Sequence, residues 1–131
     1  MTRIIIIDDD AALRHMVHEG LGGMGYELHE TASIDEAMKI FRSDQSSLII
    51  TDLVMPDKNG IDLILDLKRE YPEARIIAMS GGGGIEGRFD YLAIAKLVGA
   101  ETILKKPFTV KELRDRVDAM LHADSPMKSH A

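Results

Sequence analysis

The residues of this sequence that could do chemistry are mainly acidic, and they follow short apolar runs. Asp8-Asp9-Asp10 comes directly after one run, and Asp52 follows another. Ser80 ends a third run, and Lys106 lies just after a fourth. If the ends of these runs meet in space, several carboxylates, one hydroxyl and one ammonium group share a single site.

Such a site predicts metal-assisted phosphoryl chemistry. Carboxylates a few ångströms apart repel each other, so a cation is needed to keep them all ionised. Oxygen ligands select a hard ion, of which Mg²⁺ is the natural choice. An aspartate is also a competent nucleophile, and phosphoryl transfer needs mainly positioning and charge neutralisation. Lys106 and the hydroxyl of Ser80 could each contact a phosphoryl oxygen.

The elements that must position these groups alternate between strands and helices. Apolar runs with little alternation predict strands that are buried on both faces, and spacings of three and four predict the helices. Asn59-Gly60 opens the third helix, Gly99 ends the fourth, and Thr109 with Glu112 caps the fifth. Five βα units in series predict a parallel sheet with helices on both faces, with ligands at the carboxyl ends of the strands. The predicted strands are Ile4–Ile7, Tyr26–Glu30, Leu48–Thr51, Arg75–Ser80 and Thr102–Leu104.

Each of these residues also has a purely structural interpretation. Three aspartates at a helix start can act as N-caps and interact favourably with the helix dipole. An aspartate after a strand is usually a turn residue, and a lysine before a proline is usually solvated. The convergence of four strand ends on one edge favours the functional interpretation over these.

Composition restricts the classes of function. The chain has 131 residues and no cysteine, which excludes disulfides, thiolate zinc sites and thiol catalysis. The formal net charge is −6 without a basic cluster, so we expect no direct nucleic-acid binding. Neither a secretory signal nor an apolar run of membrane-spanning length is evident, so we expect no membrane contact and a cytoplasmic location.

The motifs together resemble the receiver domain of two-component response regulators. The match spans roughly residues 3 to 122. It rests on Asp8-Asp9, on Asp52 within the stretch 51–60, on Ser80, and on Lys106-Pro107-Phe108. The resemblance implies a flavodoxin-like α/β fold, (βα)5, with a five-stranded parallel sheet in the order 2-1-3-4-5.

The resemblance also implies a role for each matched residue. Asp52 would accept the phosphoryl group, with Ser80 as the switch hydroxyl and Lys106 as the phosphate-pairing lysine. The metal ligands would be Asp9 directly, Asp8 through water, the Asp52 carboxylate and the Val54 carbonyl, with Mg²⁺ as the cofactor. The Lys106-Pro107 bond is expected to be cis.

The expected partners are a sensor histidine kinase or a histidine phosphotransfer protein, and a downstream protein whose identity the sequence does not give. Residues 1–123 would form the receiver domain, as a monomer or weak homodimer, and residues 124–131 a polar tail. With no room for an output domain, the chain would be a stand-alone or excised receiver. It would be a signalling domain that phosphorylates and dephosphorylates itself, not a turnover enzyme.

Two features depart from the family pattern. Ile103 occupies a position where the family often has an aromatic ring that moves on activation, so ring-based signalling is excluded. Four consecutive glycines, residues 81–84, lengthen the segment after Ser80.

Other functions remain as alternatives. Asp8-x-Asp10 fits the nucleophile motif of haloacid-dehalogenase-type Mg²⁺ phosphatases, but the acidic pair that this family needs after a later strand is absent. A nucleotide- or flavin-binding module could use the glycine run, although three aspartates would repel a phosphate. The two remaining alternatives are a phosphorelay intermediate and a receiver that is not phosphorylated and acts only as a docking surface.

Overall fold

The computed structural model of the chain describes residues 2–53, 60–80 and 91–122, in which five strands alternate with five helices. The strands are β1 (Arg3–Ile7), β2 (Glu27–Thr31), β3 (Leu48–Asp52), β4 (Arg75–Ser80) and β5 (Thr102–Lys105). The helices are α1 (Ala11–Leu21), α2 (Ile34–Ser43), α3 (Gly60–Glu70), α4 (Tyr91–Val98) and α5 (Val110–Leu121).

The strands form one parallel sheet in the order β2-β1-β3-β4-β5, which confirms the predicted flavodoxin-like fold. Helices α1 and α5 cover one face, and α2, α3 and α4 cover the other. From β1 the chain adds β2 on one side of the sheet and then returns to add β3 on the other side. The carboxyl ends of β1 and β3 therefore lie beside each other where the order of strand addition reverses, and ligands bind at such points in parallel sheets.

The core consists of two layers, one on each face of the sheet. In β1, Ile5 and Ile7 pack toward α2 and α3, while Ile4 and Ile6 pack toward α1 and α5. All four side chains are fully buried. This two-sided burial explains why the strand sequences show so little polar alternation.

Local capping sets the start of three helices. Asp10 is the N-cap of α1, with its carboxylate accepting from the backbone N–H groups of Ala12 and Leu13. Thr109 and Glu112 form the predicted capping box of α5. At α2 the Oγ of Ser33 accepts from the N–H of Glu36. Each cap satisfies backbone donors that have no partner within the helix.

Four strands differ from those predicted, by one residue at each affected end, and β1 begins one residue earlier, at Arg3. Strand β2 begins and ends one residue later, because its register with β1 pairs Arg3 with Glu27. Strand β3 extends to Asp52, which pairs with Met79. Strand β5 extends to Lys105, which pairs with Ser80. Asp52 and Lys105 therefore belong to the sheet, while Asp8 and Lys106 directly follow their strands.

Some predictions fall on parts of the chain that the structure does not describe. These are the Val54 carbonyl, the glycine run 81–84 and the polar tail 124–131. Within the described residues, no helix combines the length and apolar character needed to cross a membrane.

Candidate functional site

The end of β1 holds the first part of the site. The Asp8 N–H donates to the carbonyl of Thr31 on β2, which continues the sheet hydrogen bonding by one residue. The Asp8 side chain is 1% exposed, and its Oδ1 accepts from the N–H of Asp10 at 2.9 Å. The chain turns here from strand to helix, so Asp8 points into the molecule while Asp10 caps α1.

Asp10 is occupied by that cap. Its Oδ1 accepts from two backbone N–H groups, those of Ala12 at 2.9 Å and Leu13 at 3.2 Å. The structural interpretation offered by the sequence therefore holds for this member of the triplet. It also disfavours the phosphatase alternative, whose Asp8-x-Asp10 motif would need Asp10 for another role.

Asp52 is the last residue of β3 and lies beside the end of β1. Its side chain is 8% exposed. The sheet continues past it, because the N–H of Leu53 donates to the carbonyl of Met79 at 2.9 Å. The Thr51 hydroxyl donates to the Asp52 carbonyl at 3.0 Å, so two hydrogen bonds restrain the backbone that carries the carboxylate.

Lys106 connects these two aspartates. Its Nζ lies 3.1 Å from Asp8 Oδ2 and 3.3 Å from Asp52 Oδ1. The Lys106 N–H donates to the carbonyl of Ser80 at 2.7 Å, which joins β4 to the segment after β5. The Lys106-Pro107 peptide bond is cis, as predicted.

Three carboxylates form what we call the acidic cluster: Asp8, Asp9 and Asp52. One carboxylate oxygen from each lies within 4.8 Å of the others. Asp8 and Asp52 are buried and Asp9 is exposed, so the cluster has two inner ligands and one on the solvent side. Carboxylate oxygens with an open side suit Mg²⁺, which binds proteins through a few carboxylates and keeps water in its remaining positions.

Burial raises the pKa of both inner carboxyl groups. Loss of solvation raises the pKa of Asp8, against the lowering effects of the Asp10 N–H and of Lys106. Loss of solvation also raises the pKa of Asp52; Lys106 opposes this shift, and the charges of Asp8 and Asp9 add to it. One ammonium group therefore does not fully compensate the buried carboxylates, and a second cation would relieve the remaining repulsion.

The structure brings Asp8, Asp9, Asp52 and Lys106 together, as the sequence predicted. Ser80 is buried at the same edge, where its carbonyl accepts a hydrogen bond from the Lys106 N–H. The predicted ligand Val54 is outside the described residues.

Arg14 is a neighbour of the site that the sequence analysis missed. Its Nη1 donates to the backbone carbonyl of Asp8, and its Nε lies 3.6 Å from Glu30 Oε1. The signal available in the sequence was a basic residue one helical turn after the cap Asp10, on the same side of α1.

A comparison with known proteins agrees with this arrangement. The family model of the response regulator receiver domain matches residues 4–118. The DNA-binding transcriptional regulator NtrC of Azospirillum brasilense is 37% identical over 123 residues, which cover 94% of this chain and 25% of NtrC. The two-component response regulator PhoP of Pseudomonas aeruginosa is 28% identical over 123 residues, which cover 94% of this chain and 53% of PhoP. The chain thus spans only part of these relatives.

Solved structures show the same architecture. A receiver domain protein from Clostridium thermocellum has a TM-score of 0.81 and 25% identity, covering 97% of this chain and 99% of that one. The chemotaxis protein CheY4 of Vibrio cholerae has a TM-score of 0.78 and 25% identity, covering 92% of this chain and 98% of that one. With the family model covering most of the sequence, the chain belongs to the receiver domain family of two-component response regulators.

Proposed function

We propose that this receiver accepts a phosphoryl group on Asp52 and that Asp8, Asp9, Asp52 and the Val54 carbonyl bind Mg²⁺. The observation that carries the proposal is the position of the Asp52 carboxylate, which is within 4.8 Å of the two other acidic groups and 3.3 Å from Lys106 Nζ. A nucleophile with cationic groups on one side is what phosphoryl transfer requires.

The chemistry follows from the groups present. An Asp52 oxygen attacks the phosphorus of the donor, an acyl phosphate bond forms, and the bond to the leaving group breaks. For a phosphohistidine donor, the electron pair of the broken P–N bond returns to the imidazole nitrogen, which takes a proton from solvent. Lys106 already contacts Asp52 and would pair with the transferred group, while Ser80 would donate its hydroxyl to a phosphoryl oxygen. When bound, Mg²⁺ neutralises charge on the phosphoryl oxygens.

Mass spectrometry tests the acceptor. Incubation with a small phosphodonor and Mg²⁺ should add the mass of one phosphoryl group to the wild-type protein and none to Asp52→Asn. The matched control is Asp10→Asn, because asparagine caps helices about as well as aspartate and Asp10 lies outside the acidic cluster. A mass gain that persists in Asp52→Asn would overturn the assignment and point to Asp8 or another residue.

Metal titration tests the ligand set. We expect Asp9→Ala to lose most of its Mg²⁺ affinity and Asp10→Ala to lose little, because only Asp9 belongs to the acidic cluster. Asp10→Ala should instead lose about 1 kcal/mol of stability as the α1 cap is removed. The reverse order of Mg²⁺ affinities would place the metal at the start of α1 instead.

The partners proposed are a histidine kinase or phosphotransfer protein as donor and a downstream protein that recognises the phosphorylated state. A similar solved structure, 27% identical with a TM-score of 0.78, is a beryllofluoride-activated NtrC4 receiver domain dimer. We therefore propose that activation promotes self-association here. Sedimentation with and without beryllofluoride and Mg²⁺ tests it, and a sedimentation coefficient unchanged by beryllofluoride would favour a monomeric signalling state.

A further inference from the structure

The start of α3 passes unusually close to the backbone of Asp52. Gly60 is the first residue of that helix, and its N–H donates to the carbonyl of Leu53 at 2.9 Å. Gly60 is buried. The helix is therefore attached to the chain at the residue that directly follows Asp52.

This approach leaves no space for a side chain at Gly60. A Cβ atom there would lie 2.3 Å from the Asp52 carbonyl oxygen, 2.8 Å from Leu53 Cα and 3.2 Å from the Asp52 carbonyl carbon. Contacts of Cβ atoms below 3.0 Å essentially never occur. All three neighbours are backbone atoms, so no rotamer change can relieve the contact.

Helix propensity cannot explain the glycine. Alanine is a better helix former than glycine, so α3 alone would favour a larger residue at its start. The other described helical glycine, Gly20 of α1, has only side-chain atoms near its Cβ position, at 3.3 Å or more. The requirement at Gly60 therefore comes from the strand end that carries Asp52.

We propose that Gly60 is a positioning residue for Asp52: its close approach allows α3 to hold the Asp52 carbonyl at the depth that aligns its carboxylate with Asp8 and Lys106. The proposal rests on the role of Asp52 proposed above. Any side chain at Gly60 would separate the helix from the strand end by the greater part of an ångström. Asp8 and Asp9 follow a different strand, β1, and would stay in place.

This difference predicts a specific kinetic signature in Gly60→Ala. The maximal rate of Asp52 phosphorylation, at saturating Mg²⁺ and phosphodonor, should fall at least about tenfold, since a misplacement of about 1 Å can cost a hundredfold. The Mg²⁺ concentration for half-maximal rate should rise less than in Asp9→Ala, because Asp8 and Asp9 remain in place and only the Asp52 ligand is displaced. General loosening of the fold would displace Asp8 and Asp9 as well and would raise this concentration at least as much as Asp9→Ala does.

The carbonyl ¹³C resonance of Asp52 in the metal-free protein gives a readout that does not depend on phosphorylation. It should shift in Gly60→Ala and stay unchanged in the control Gly22→Ala, where a Cβ would meet its nearest neighbours at 3.4 and 3.5 Å. A wild-type maximal rate together with an unshifted resonance in Gly60→Ala would overturn the proposal.

A third measurement needs no variant and covers the case in which Gly60→Ala does not fold. In the wild-type protein, the Gly60 amide hydrogen should exchange with solvent as slowly as the amide hydrogens of β3, because it is hydrogen-bonded to the Leu53 carbonyl. Fast exchange would mean that α3 does not hold the strand end. If the wild-type protein takes up no phosphoryl group on Asp52, the proposed function fails, while the resonance and exchange data still test the role of Gly60.

Discussion

At the residue scale, the four aspartates of the strand ends differ in their surroundings although their side chains are identical. Asp8 and Asp52 are buried and share Lys106, while Asp9 and Asp10 are exposed. Burial of the first two raises their pKa values, which means that the metal-free fold carries a cost in keeping both ionised. Stability is given up here for a site that can take a cation.

The destabilisation caused by the buried charges can be measured as a dependence of the free energy of unfolding on pH. An aspartate with a raised folded-state pKa binds more protons in the folded than in the unfolded protein, between its ordinary pKa of about 3.9 and the raised value. Its contribution to stability is therefore complete below the ordinary pKa and is lost as pH rises through the raised one. In chelator, we expect Asp52→Asn to be more stable than wild type at neutral pH, by on the order of 1 kcal/mol. Urea unfolding across the weakly acidic range measures both the gain and a shallower pH slope.

Two controls make this prediction specific. Asp10→Asn removes an exposed aspartate and retains the cap, so its stability should follow wild type. Addition of Mg²⁺ should stabilise wild type more than Asp52→Asn, because a ligand of the folded state stabilises it more the more tightly it binds. If Asp52→Asn is less stable than wild type in chelator, Lys106 more than compensates the buried charge.

At the scale of elements, the ends of strands and the beginnings of helices shape the site. Asp8 and Asp10 bracket the turn from β1 into α1, and Gly60 starts α3 against the end of β3. Lys106 lies between β5 and α5, and its position is limited by the Ser80 carbonyl on one side and the α5 cap on the other. The caps therefore stabilise the helices and also restrict the loops that carry the functional groups.

The capping box of α5 can be tested alone. The Thr109 Oγ1 accepts from the Glu112 N–H at 3.0 Å, and a Glu112 carboxylate oxygen accepts from the Thr109 N–H at 2.9 Å. Thr109→Ala should lose about 1 kcal/mol of unfolding free energy. Thr109→Ser retains the hydroxyl and should lose much less. Equal losses in the two variants would assign the effect to the methyl group of Thr109 and not to its hydrogen bond.

At the scale of the whole molecule, the sheet divides the core into two layers, which share no side chain among the residues that the structure describes. Successive strand residues alternate between them, so Ile49 belongs to the layer of α2 and α3 while Ile50 belongs to that of α1 and α5. Ile77 on the neighbouring strand β4 pairs with Ile50 and packs in the same layer.

This division predicts which substitutions are additive. Ile49→Val and Ile50→Val should each cost about 0.5 to 1.5 kcal/mol. Their double variant should lose the sum to within about 0.5 kcal/mol, because the two side chains pack in separate layers. Ile50→Val with Ile77→Val is the matched comparison, in which shared neighbours should produce a departure from the sum. Denaturant unfolding of the three single and two double variants measures these departures from additivity. A larger departure for Ile49→Val with Ile50→Val than for Ile50→Val with Ile77→Val would contradict the prediction.

Much of this fold could be predicted from local patterns. Runs such as Ile4–Ile7 indicated buried strands, the Thr109 and Glu112 pair indicated a helix start, and their alternation indicated a parallel sheet. The convergence of Asp8, Asp52 and Lys106 on one edge also followed, because the carboxyl ends of parallel strands lie at the same side of the sheet. The strand order came from the family resemblance, since right-handed crossovers alone leave more than one topology open.

What only the tertiary structure decided concerns distances and burial between residues far apart in the chain. It decided that Lys106 contacts Asp8 as well as Asp52, that Asp10 caps α1 while Asp8 turns inward, and that Gly60 touches the Asp52 backbone. Periodicity and capping are properties of a few consecutive residues, and the sequence displays them directly. The depth of a carboxylate or the gap beside a glycine depends on how all five strands and their helices pack, which no local segment records.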